Sequence, residues 1–359
     1  MKVGIDASRA FMRERTGTEE YAYQLIKNLT KTNDLFCQFF LYLKKGEEVD
    51  FELPKNFHIR TISREKHWTQ LGLSFELLKH PVDVLFVPSH SIPLIHPKRT
   101  VVTIHGTEYR NCPKCYPLRD RLQLELNTML SIRWARRIIT PSASTKKDVI
   151  KFYKAAPEKI TVVHHGAESQ KSIKLKVQSD VFNILFIGRL ERRKNIVNLI
   201  KAFNIVKERT EQVKRPLKLI LAGKPGFGFD EIRKEAGKSE WKNDMILTGY
   251  VSDKEKEDLY KKANMFVMPS LAEGFGLPIL EAMQKNIPVL CSDISPFFEI
   301  SMDSVLYFDP RDPQDIADKI NIVMVNVHLQ KDLIAKGGRN IENYSWEKCA
   351  AETLKVLIG

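Results

Sequence analysis

The chain has 359 residues, enough for two domains of ordinary size, and 43% of them are hydrophobic, as in globular proteins. No apolar run approaches the roughly 18–20 residues of a membrane-spanning helix, and an acid at Asp6 argues against a signal peptide, so we expect a cytoplasmic protein. Residues 1–172 hold 28 basic and 18 acidic side chains, a net +10 of the total +13, which favours an anionic partner for the first half.

In the first half, strand-like segments alternate with stretches of helical spacing, a pattern that predicts a parallel, doubly wound sheet. These segments are Lys2–Ala7, Phe36–Leu43, His58–Ile62, Val82–Pro88, Thr100–His105, Arg137–Pro141 and Ile160–His165. Gly17 follows the first strand after a polar loop, and His105 ends the fifth strand.

The five cysteines form an odd, scattered set, which suits reduced thiols better than a disulfide framework. Cys112 and Cys115 stand three positions apart, but His96 and His105 lack the spacing of a zinc finger. We interpret both cysteines as ordinary thiols and expect no metal site.

The second half repeats the alternation and predicts a second parallel sheet. Its strand-like segments are Asn183–Gly188, Leu217–Gly223, Met245–Tyr250, Met265–Pro269, Pro288–Ser292 and Val305–Phe308. The lysine-rich stretch Ser169–Asp180 has no apolar periodicity and is interpreted as the linker. We therefore place one domain at residues 1–170 and the other at 171–343.

The segment after Asn183–Gly188 is strongly basic. Arg189 and Lys194 lie where a strand passes into a helix, a position from which they can neutralise charge that grows on a departing nucleoside diphosphate. Arg192 and Arg193 are interpreted as a solvated basic loop.

The run from Glu273 to Glu281 is the most informative part of the sequence. The turn Gly274-Phe275-Gly276 follows a buried strand, and Pro278 is expected to be the first helical residue. The amides of Phe275 to Leu277 and the positive end of the helix dipole would then seat a phosphate. Glu281 is expected in the first helical turn, so both carboxylates lie near that seat and can accept hydrogen bonds from sugar or ribose hydroxyls.

Two glutamates eight positions apart, preceded by the Gly188–Asn195 segment, resemble the signature of retaining family-four glycosyltransferases of GT-B architecture. The resemblance implies an α/β protein with two Rossmann-like domains that face a cleft, and a last helix in residues 344–359 that packs back on the first domain. It further implies transfer of a hexose-type sugar from a UDP- or GDP-sugar to a hydroxyl of a glycan, a lipid-linked or a small-molecule acceptor. A mannosyltransferase of cell-surface polysaccharide synthesis is an example. Because the chain contains no Asp-x-Asp tripeptide, we expect a metal-independent enzyme without a cofactor.

The resemblance also assigns roles to residues. The implied catalytic residues are Glu273, His105, Arg189 and Lys194, and the implied donor-binding residues are Gly17, Gly188, Arg189, Lys194, Tyr250, Val251, Glu273, Gly274, Phe275, Gly276, Leu277 and Glu281. Among them, His105 would face the donor sugar and Gly17 the donor diphosphate or the acceptor. The backbone around Tyr250 would contact the base, whereas Ser252 and Glu255 form a helix-capping box.

Other functions stay open at this stage. A nucleotide-sugar epimerase could share the two-domain architecture, and a nucleic-acid-binding protein would account for the charge, although the sequence shows no such module. We also consider that the first half docks at an anionic membrane surface through Arg133–Arg137, Lys146–Lys147 and the apolar-rich stretch Trp68–Leu78. A solvated basic face is the alternative.

Overall fold

The computed structural model describes residues 1–32, 36–89, 91–167, 181–210 and 216–359. The predicted linker lies outside these residues. All thirteen predicted strands are present, with ends that differ from the predicted ones by at most three residues. The strands were predictable because a strand that is buried on both faces of a parallel sheet has a nearly continuous run of apolar residues in its sequence.

The strands are β1 (Lys2–Asp6), β2 (Gln38–Lys44), β3 (Phe57–Ile62), β4 (Val84–Val87), β5 (Arg99–Thr103), β6 (Arg137–Thr140), β7 (Ile160–Val162), β8 (Phe182–Ile187), β9 (Leu217–Ala222), β10 (Met245–Gly249), β11 (Met265–Met268), β12 (Val289–Ser292) and β13 (Leu306–Phe308). The α-helices are α1 (Gly17–Leu29), α2 (Ser74–Lys79), α3 (Glu108–Asn111), α4 (Leu118–Trp134), α5 (Ala143–Tyr153), α6 (Ile196–Thr210), α7 (Phe229–Lys238), α8 (Asp253–Lys262), α9 (Leu277–Gln284), α10 (Ser295–Ser301), α11 (Pro313–Val325), α12 (Val327–Ile341) and α13 (Trp346–Ile358). Short turns of 3₁₀- or π-helix are Trp68–Leu73, Pro113–Cys115, Pro157–Lys159, Arg192–Lys194 and Lys242–Asp244.

The described chain forms two compact units. The first unit contains residues 1–107, 118–166 and 344–359, and the second contains 108–117 and 167–343. Residues 108–117 thus pack within the second unit, although the sequence places them in the middle of the first domain.

The first unit is built on a seven-stranded sheet of order β3-β2-β1-β4-β5-β6-β7, and every pair is parallel. Strand β1 lies at the centre, where Ile5 is in register with Leu41 of β2 on one side and Phe86 of β4 on the other. The order runs outward in both directions from the β1/β4 pair. Right-handed crossovers from such a pair place helices on both faces of a sheet, and its carboxyl end is a topological switch point.

The second unit is built on a six-stranded parallel sheet of order β10-β9-β8-β11-β12-β13. Its first strand, β8, again lies beside the fourth, β11, and Leu185 is in register with Ile220 of β9 and Phe266 of β11. All four residues of β11 are buried. The predicted α/β class with two doubly wound parallel sheets is therefore confirmed, and each sheet has one switch point.

Helix α13 belongs to the first unit and packs against α1. Its first residue, Trp346, is buried, with its ring 6.3 Å from that of Tyr21 between centroids. Gly166 lies against the start of this helix, where a Cβ atom would overlap the backbone of Ser345 and Trp346. The chain can pass this point only without a side chain.

We predict that Gly166→Ala destabilises the first unit. Because backbone cannot yield as a side-chain end can, the substitution should lower the free energy of unfolding by about 1–3 kcal/mol. Gly338→Ala is the matched control, because Gly338 lies within α12 and a Cβ there meets no atom within 4 Å. That substitution should raise the free energy by up to about 1 kcal/mol. Urea unfolding of the three proteins measures both effects, and equal stability of Gly166→Ala and the unsubstituted protein would contradict the prediction.

Candidate functional site

The site in the second unit lies at its switch point. The segments that follow β8 and β11 must run side by side because these strands are neighbours. The backbone nitrogen of Leu271 donates to the carbonyl oxygen of Arg193 at 2.9 Å, and Nη1 of Arg193 donates to the carbonyl oxygen of Ala272 at 2.9 Å. These bonds fix the basic segment after β8 against the start of the Glu273 run.

Glu273 is a buried carboxylate held between two cations. Its Oε2 atom lies 2.8 Å from Nη1 of Arg193, and its Oε1 atom accepts a hydrogen bond from Nζ of Lys194. Burial on its own would raise the pKa of Glu273, but Arg193 and Lys194 outweigh it and lower the pKa to about 2. The side chain is therefore ionised at neutral pH and fixed in position.

The structure corrects the sequence interpretation of Arg193 as part of a solvated loop. Its side chain is only 14% exposed, and besides Glu273 and Ala272 it binds Glu191, whose Oε1 accepts hydrogen bonds from Nη2 at 2.8 Å and Nε at 3.2 Å. Burial opposes its charge, but Glu273 keeps the pKa of Arg193 raised. A solvated basic loop was the wrong interpretation, because a planar guanidinium with five donors can bridge two carboxylates and a carbonyl at once.

Arg192 is also bound, although about a third of its side chain is exposed. It forms an ion pair with Glu231 at the start of α7, and its Nη1 donates to the carbonyl oxygen of Lys114 at 3.0 Å. Its guanidinium carbon lies 4.8 Å from the ring centroid of Phe227. Arg192 thus ties together three segments of the second unit.

Three glycines form the carboxyl edge of the sheet beside Glu273. Gly188, Gly223 and Gly249 follow or end β8, β9 and β10, and all have positive φ. The nitrogen of Gly223 donates to the carbonyl oxygen of Gly249 at 2.8 Å, and a Cβ on Gly223 would overlap the carbonyl oxygen of Gly188. Arg189, next in the chain, is exposed, and its aliphatic stem lies over Gly226. A Cβ on Gly249 would meet no atom within 4 Å, so a ligand can approach the backbone closely at this end of the edge.

The turn after Glu273 also requires glycine. Gly276 has a φ of 129°, and a Cβ at this position would meet Phe297 and Ile300, each at 2.9 Å. Helix α9 begins at Leu277, so Pro278 is its second residue rather than its first, which corrects the prediction by one position. Proline fits there because the first four amides of a helix have no intrahelical acceptor.

Glu281 is the fifth residue of α9, not a first-turn residue as predicted. Its carboxylate accepts hydrogen bonds from Nζ of Lys256 at 3.0 Å and from the hydroxyl of Tyr260 at 2.8 Å. Burial would raise the pKa of Glu281, but Lys256 outweighs it and the pKa is lowered. Both partners stand on α8, four residues apart and hence on one helix face.

The capping box predicted at the start of α8 is confirmed. The backbone nitrogen of Ser252 donates to the carboxylate of Glu255 at 2.8 Å, and the backbone nitrogen of Glu255 donates to the hydroxyl of Ser252. Tyr250 is exposed, and Nζ of Lys224 lies 4.9 Å from its ring centroid. Val251 is half-buried beside it. A flat aromatic face at the sheet edge is a surface on which a base can stack.

The segment Glu108–Pro117 contributes buried groups that the sequence did not single out. Burial raises the pKa of Glu108, against the effect of the nearby Arg193. Burial likewise raises the pKa of Tyr116, which also lies near Arg193. Cys112 and Cys115 form a disulfide with a Cα–Cα distance of 5.4 Å, so the interpretation of both as free thiols was wrong. The 3₁₀ turn between them brings their side chains together, which spacing alone does not reveal.

In the first unit, His105 and the start of α1 lie near each other. Nε2 of His105 lies 2.7 Å from the carbonyl oxygen of Pro88, which follows the neighbouring strand β4. Burial lowers the pKa of His105 to about 4, while Glu19 acts in the opposite sense, so the ring is neutral at pH 7. Glu19 caps α1 together with Thr16, and a side chain at Gly17 would enter open space. Gly17 is therefore not required by packing.

The second unit thus brings together Glu273, Lys194, Gly188 and the Gly274–Gly276 turn. The sequence missed three partners that hold the two glutamates, Arg193, Lys256 and Tyr260, and it missed Glu191, which holds Arg193. It also missed the capping box of Thr16 and Glu19, for which the Thr-x-x-Glu spacing was an available signal.

Within the described residues, no group of three or more His, Cys, Asp and Glu side chains is placed to hold a metal ion. A search of the same residues finds no helix with the length and apolar character needed to cross a membrane.

Two family models match the chain. The model described as Glycosyltransferase Family 4 matches residues 15–171, and that described as Glycosyl transferases group 1 matches residues 168–339. Among curated proteins, the chain is 29% identical over 273 residues to O-antigen chain mannosyltransferase B of Escherichia coli. This match covers 72% of this chain and 70% of that protein. It is 26% identical over 272 residues to O-antigen chain mannosyltransferase RfbU of Salmonella typhimurium. This match covers 75% of this chain and 70% of that protein.

Among solved structures, the fold is similar to that of Anabaena HepE in complex with UDP and glucose. The TM-score is 0.73 at 16% identity, with 100% of this chain and 99% of that chain covered. The similarity supports the GT-B architecture predicted from the sequence.

The ion pairs of Glu273 predict a pH dependence of stability. The pKa of Glu273 is lowered from an ordinary value of 4.5 to about 2, so its contribution is complete above about pH 4.5 and is lost as the pH falls towards 2. We expect the free energy of unfolding of Glu273→Gln to fall less between pH 5 and pH 3 than that of the unsubstituted protein, because the substituted side chain does not titrate. Urea unfolding at pH 5, 4 and 3 measures it, with the exposed Glu240→Gln as the control. The same pH dependence in Glu273→Gln as in the control would contradict the prediction.

Proposed function

The chain belongs to the family-four glycosyltransferases of GT-B architecture, and on this premise we propose that it transfers a hexose from a UDP- or GDP-sugar to a hydroxyl acceptor with retention of configuration. The product is a cell-surface glycan or glycolipid. The observation that carries the proposal is the ionised Glu273, fixed by Arg193 and Lys194 at the switch point beside three glycines. A rigid carboxylate next to a phosphate-accepting edge suits a nucleotide sugar.

Lys194 and Arg189 are assigned to the leaving diphosphate. The ammonium of Lys194 has three donors, so it can keep its bond to Glu273 and still donate to a phosphate oxygen. Arg189 is exposed at the glycine edge and brings a second positive charge. Fixed cations that stabilise charge developing on a leaving group lower the barrier without reorganisation, and they take the place of a divalent metal ion here.

Glu273 is assigned to the hydroxyls of the donor sugar. Each of its oxygens has one cationic partner and retains a lone pair that can accept a further hydrogen bond. The turn Gly274–Gly276 and the positive end of the α9 dipole lie directly after it, together with Phe275 and Leu277. The carboxylate and the helix start that follows it would hold the sugar and the diphosphate in one orientation.

Glu281 is assigned to the ribose. Lys256 and Tyr260 orient its carboxylate, and a carboxylate is a strong acceptor for a diol. The base would lie along Gly249 to Val251, with Tyr250 and the Gly188 backbone nearby in the same unit. These contacts carry little information about which base is bound.

In the first unit, His105 and Gly17 are assigned the roles that the family resemblance implies, contact with the donor sugar for His105 and with the donor diphosphate or the acceptor for Gly17. Because Nε2 of the neutral ring donates to the carbonyl oxygen of Pro88, Nδ1 is the acceptor nitrogen that suits a sugar hydroxyl at pH 7. Mannose is the preferred candidate for the sugar, because two relatives are named as mannosyltransferases. A glycan chain is the preferred acceptor, because the same two names specify an O-antigen chain.

We predict that Glu273→Ala and Lys194→Ala each lower kcat for sugar transfer at least about 100-fold, since each removes a fixed charge from the reacting centre. Transfer from a radiolabelled nucleotide sugar measures the rate. Glu240→Ala and Lys201→Ala, which change exposed residues of the same unit, are the matched controls and should keep full activity. Near-normal turnover in a folded Glu273→Ala protein would remove this assignment.

The mechanism makes a further prediction about metal independence and stereochemistry. Its test first requires the donor, which is identified by comparing the Tm of the protein with GDP and with UDP, because a ligand that binds only the native state raises Tm. Transfer from the matching sugar nucleotide should continue at an unchanged rate in EDTA, because cationic side chains bear the diphosphate charge. NMR of the product should show the anomeric configuration of the donor. Loss of activity in EDTA or an inverted product would contradict the mechanism.

A further inference from the structure

Helix α4 of the first unit carries four large apolar residues on its outer face. Leu118, Leu122, Leu126 and Met129 are 62, 57, 51 and 47% exposed, whereas the buried residues of this helix are Thr128, Ser131 and Ile132. A helix on the surface of a globular domain normally buries its apolar stripe and exposes its polar face. Helix α4 follows this rule at Ile132, but it also leaves four large apolar side chains exposed on its outer face.

These four residues form one stripe. Positions separated by four, four and three residues fall within about 80° of one another around an α-helix, and they extend over about 17 Å of its length. Arg133, one turn beyond Met129, continues the same face, and Arg119 and Arg121 flank its start. Glu125 is the acidic residue nearest to the stripe.

Further apolar residues are exposed on segments joined to α4. The backbone nitrogen of Ile92 donates to Oγ of Ser131 on α4 at 3.0 Å, and that of Ile95 donates to Oγ of Ser74 on α2 at 3.0 Å. The loop between β4 and β5 is thus bonded to both helices. Leu94 and Ile95 of this loop and Phe75 and Leu78 of α2 are exposed.

The surroundings of the stripe are basic. The segments 64–79, 91–99 and 118–137 hold ten Lys and Arg residues and four Asp and Glu residues, a net charge of +6 out of the +10 of the first half. An apolar stripe flanked by arginines is the composition that inserts at the interface of a bilayer containing anionic lipid. A second copy of the chain would bring the same positive charges against one another, which disfavours self-association through this face.

From these observations we infer that the exposed face of α4 docks the protein on the surface of a bilayer that contains anionic phospholipid. Leu118, Leu122, Leu126 and Met129 enter the interface, and the arginines bind lipid headgroups. The surface differs from the one expected from the sequence, where Trp68–Leu78 was the apolar element. Trp68, Leu73 and Leu77 are buried, so that stretch offers only Phe75 and Leu78.

The experiment measures binding of the full chain to vesicles by sedimentation, without any sugar transfer, so its outcome does not depend on the proposed reaction. Vesicles of phosphatidylcholine with about one third phosphatidylglycerol are compared with phosphatidylcholine alone, at low and high salt. We expect retention by the anionic vesicles at low salt and weaker retention at high salt, because the charge contribution is screened.

Three double variants locate the surface. Leu122→Gln with Leu126→Gln should lower the partition coefficient about tenfold or more, since two buried leucines are lost from the interface. Arg119→Gln with Arg121→Gln should weaken binding and reduce its salt dependence. Val325→Gln with Val327→Gln, at exposed apolar positions of the second unit, is the control and should bind as the unsubstituted protein does.

Four outcomes would overturn the inference. They are failure of the anionic vesicles to retain the protein, equal retention by neutral vesicles, unchanged retention of the leucine variant, and a dimer in sedimentation velocity that the leucine variant converts to a monomer. The last would assign the stripe to a contact between copies. Circular dichroism and Tm check that each variant is folded.

Discussion

The second unit depends on the burial of one carboxylate. Removing an ionised carboxylate from water costs several kcal/mol unless opposite charge and hydrogen bonds compensate, and Glu273 has both in Arg193 and Lys194. The compensation requires two cations in fixed positions on one short segment. The segment is fixed in turn by backbone bonds to Leu271 and Ala272.

The position of this cluster follows from sheet topology. When β8 pairs with β11 and the strand order runs outward from that pair, the two segments that leave its carboxyl end are forced together. The basic segment and the Glu273 run are about 80 residues apart in the chain, yet they form one site. The glycines at the ends of β8 and β9 let their backbones pack closely, and Gly249 at the end of β10 leaves open space for a ligand. The same strand order in the first unit places His105 beside the carbonyl of Pro88.

The extent to which the sequence predicted this site can be understood residue by residue. The buried strands were readable because apolar runs such as Met265–Met268 are nearly continuous, and the capping box of Ser252 was readable because it is local. Arg193 was misinterpreted because its partners come from a segment that only the pairing of strands brings near. The partners of Glu281 lie on a different helix for the same reason.

Helix α4 shows a second limit of sequence analysis. Leucines spaced by four residues are also what a core-facing helix would show, so periodicity alone cannot tell an outward stripe from an inward one. Only the burial of Thr128, Ser131 and Ile132, away from the exposed stripe, decides the question.

The outward leucines of α4 also have a consequence for the isolated protein. Contiguous apolar side chains in water promote non-specific aggregation, and the strong positive charge of the same region opposes it by repulsion between molecules. Colloidal stability during purification is therefore a balance between the two, and concentrated salt, which weakens only the repulsion, shifts that balance towards precipitation.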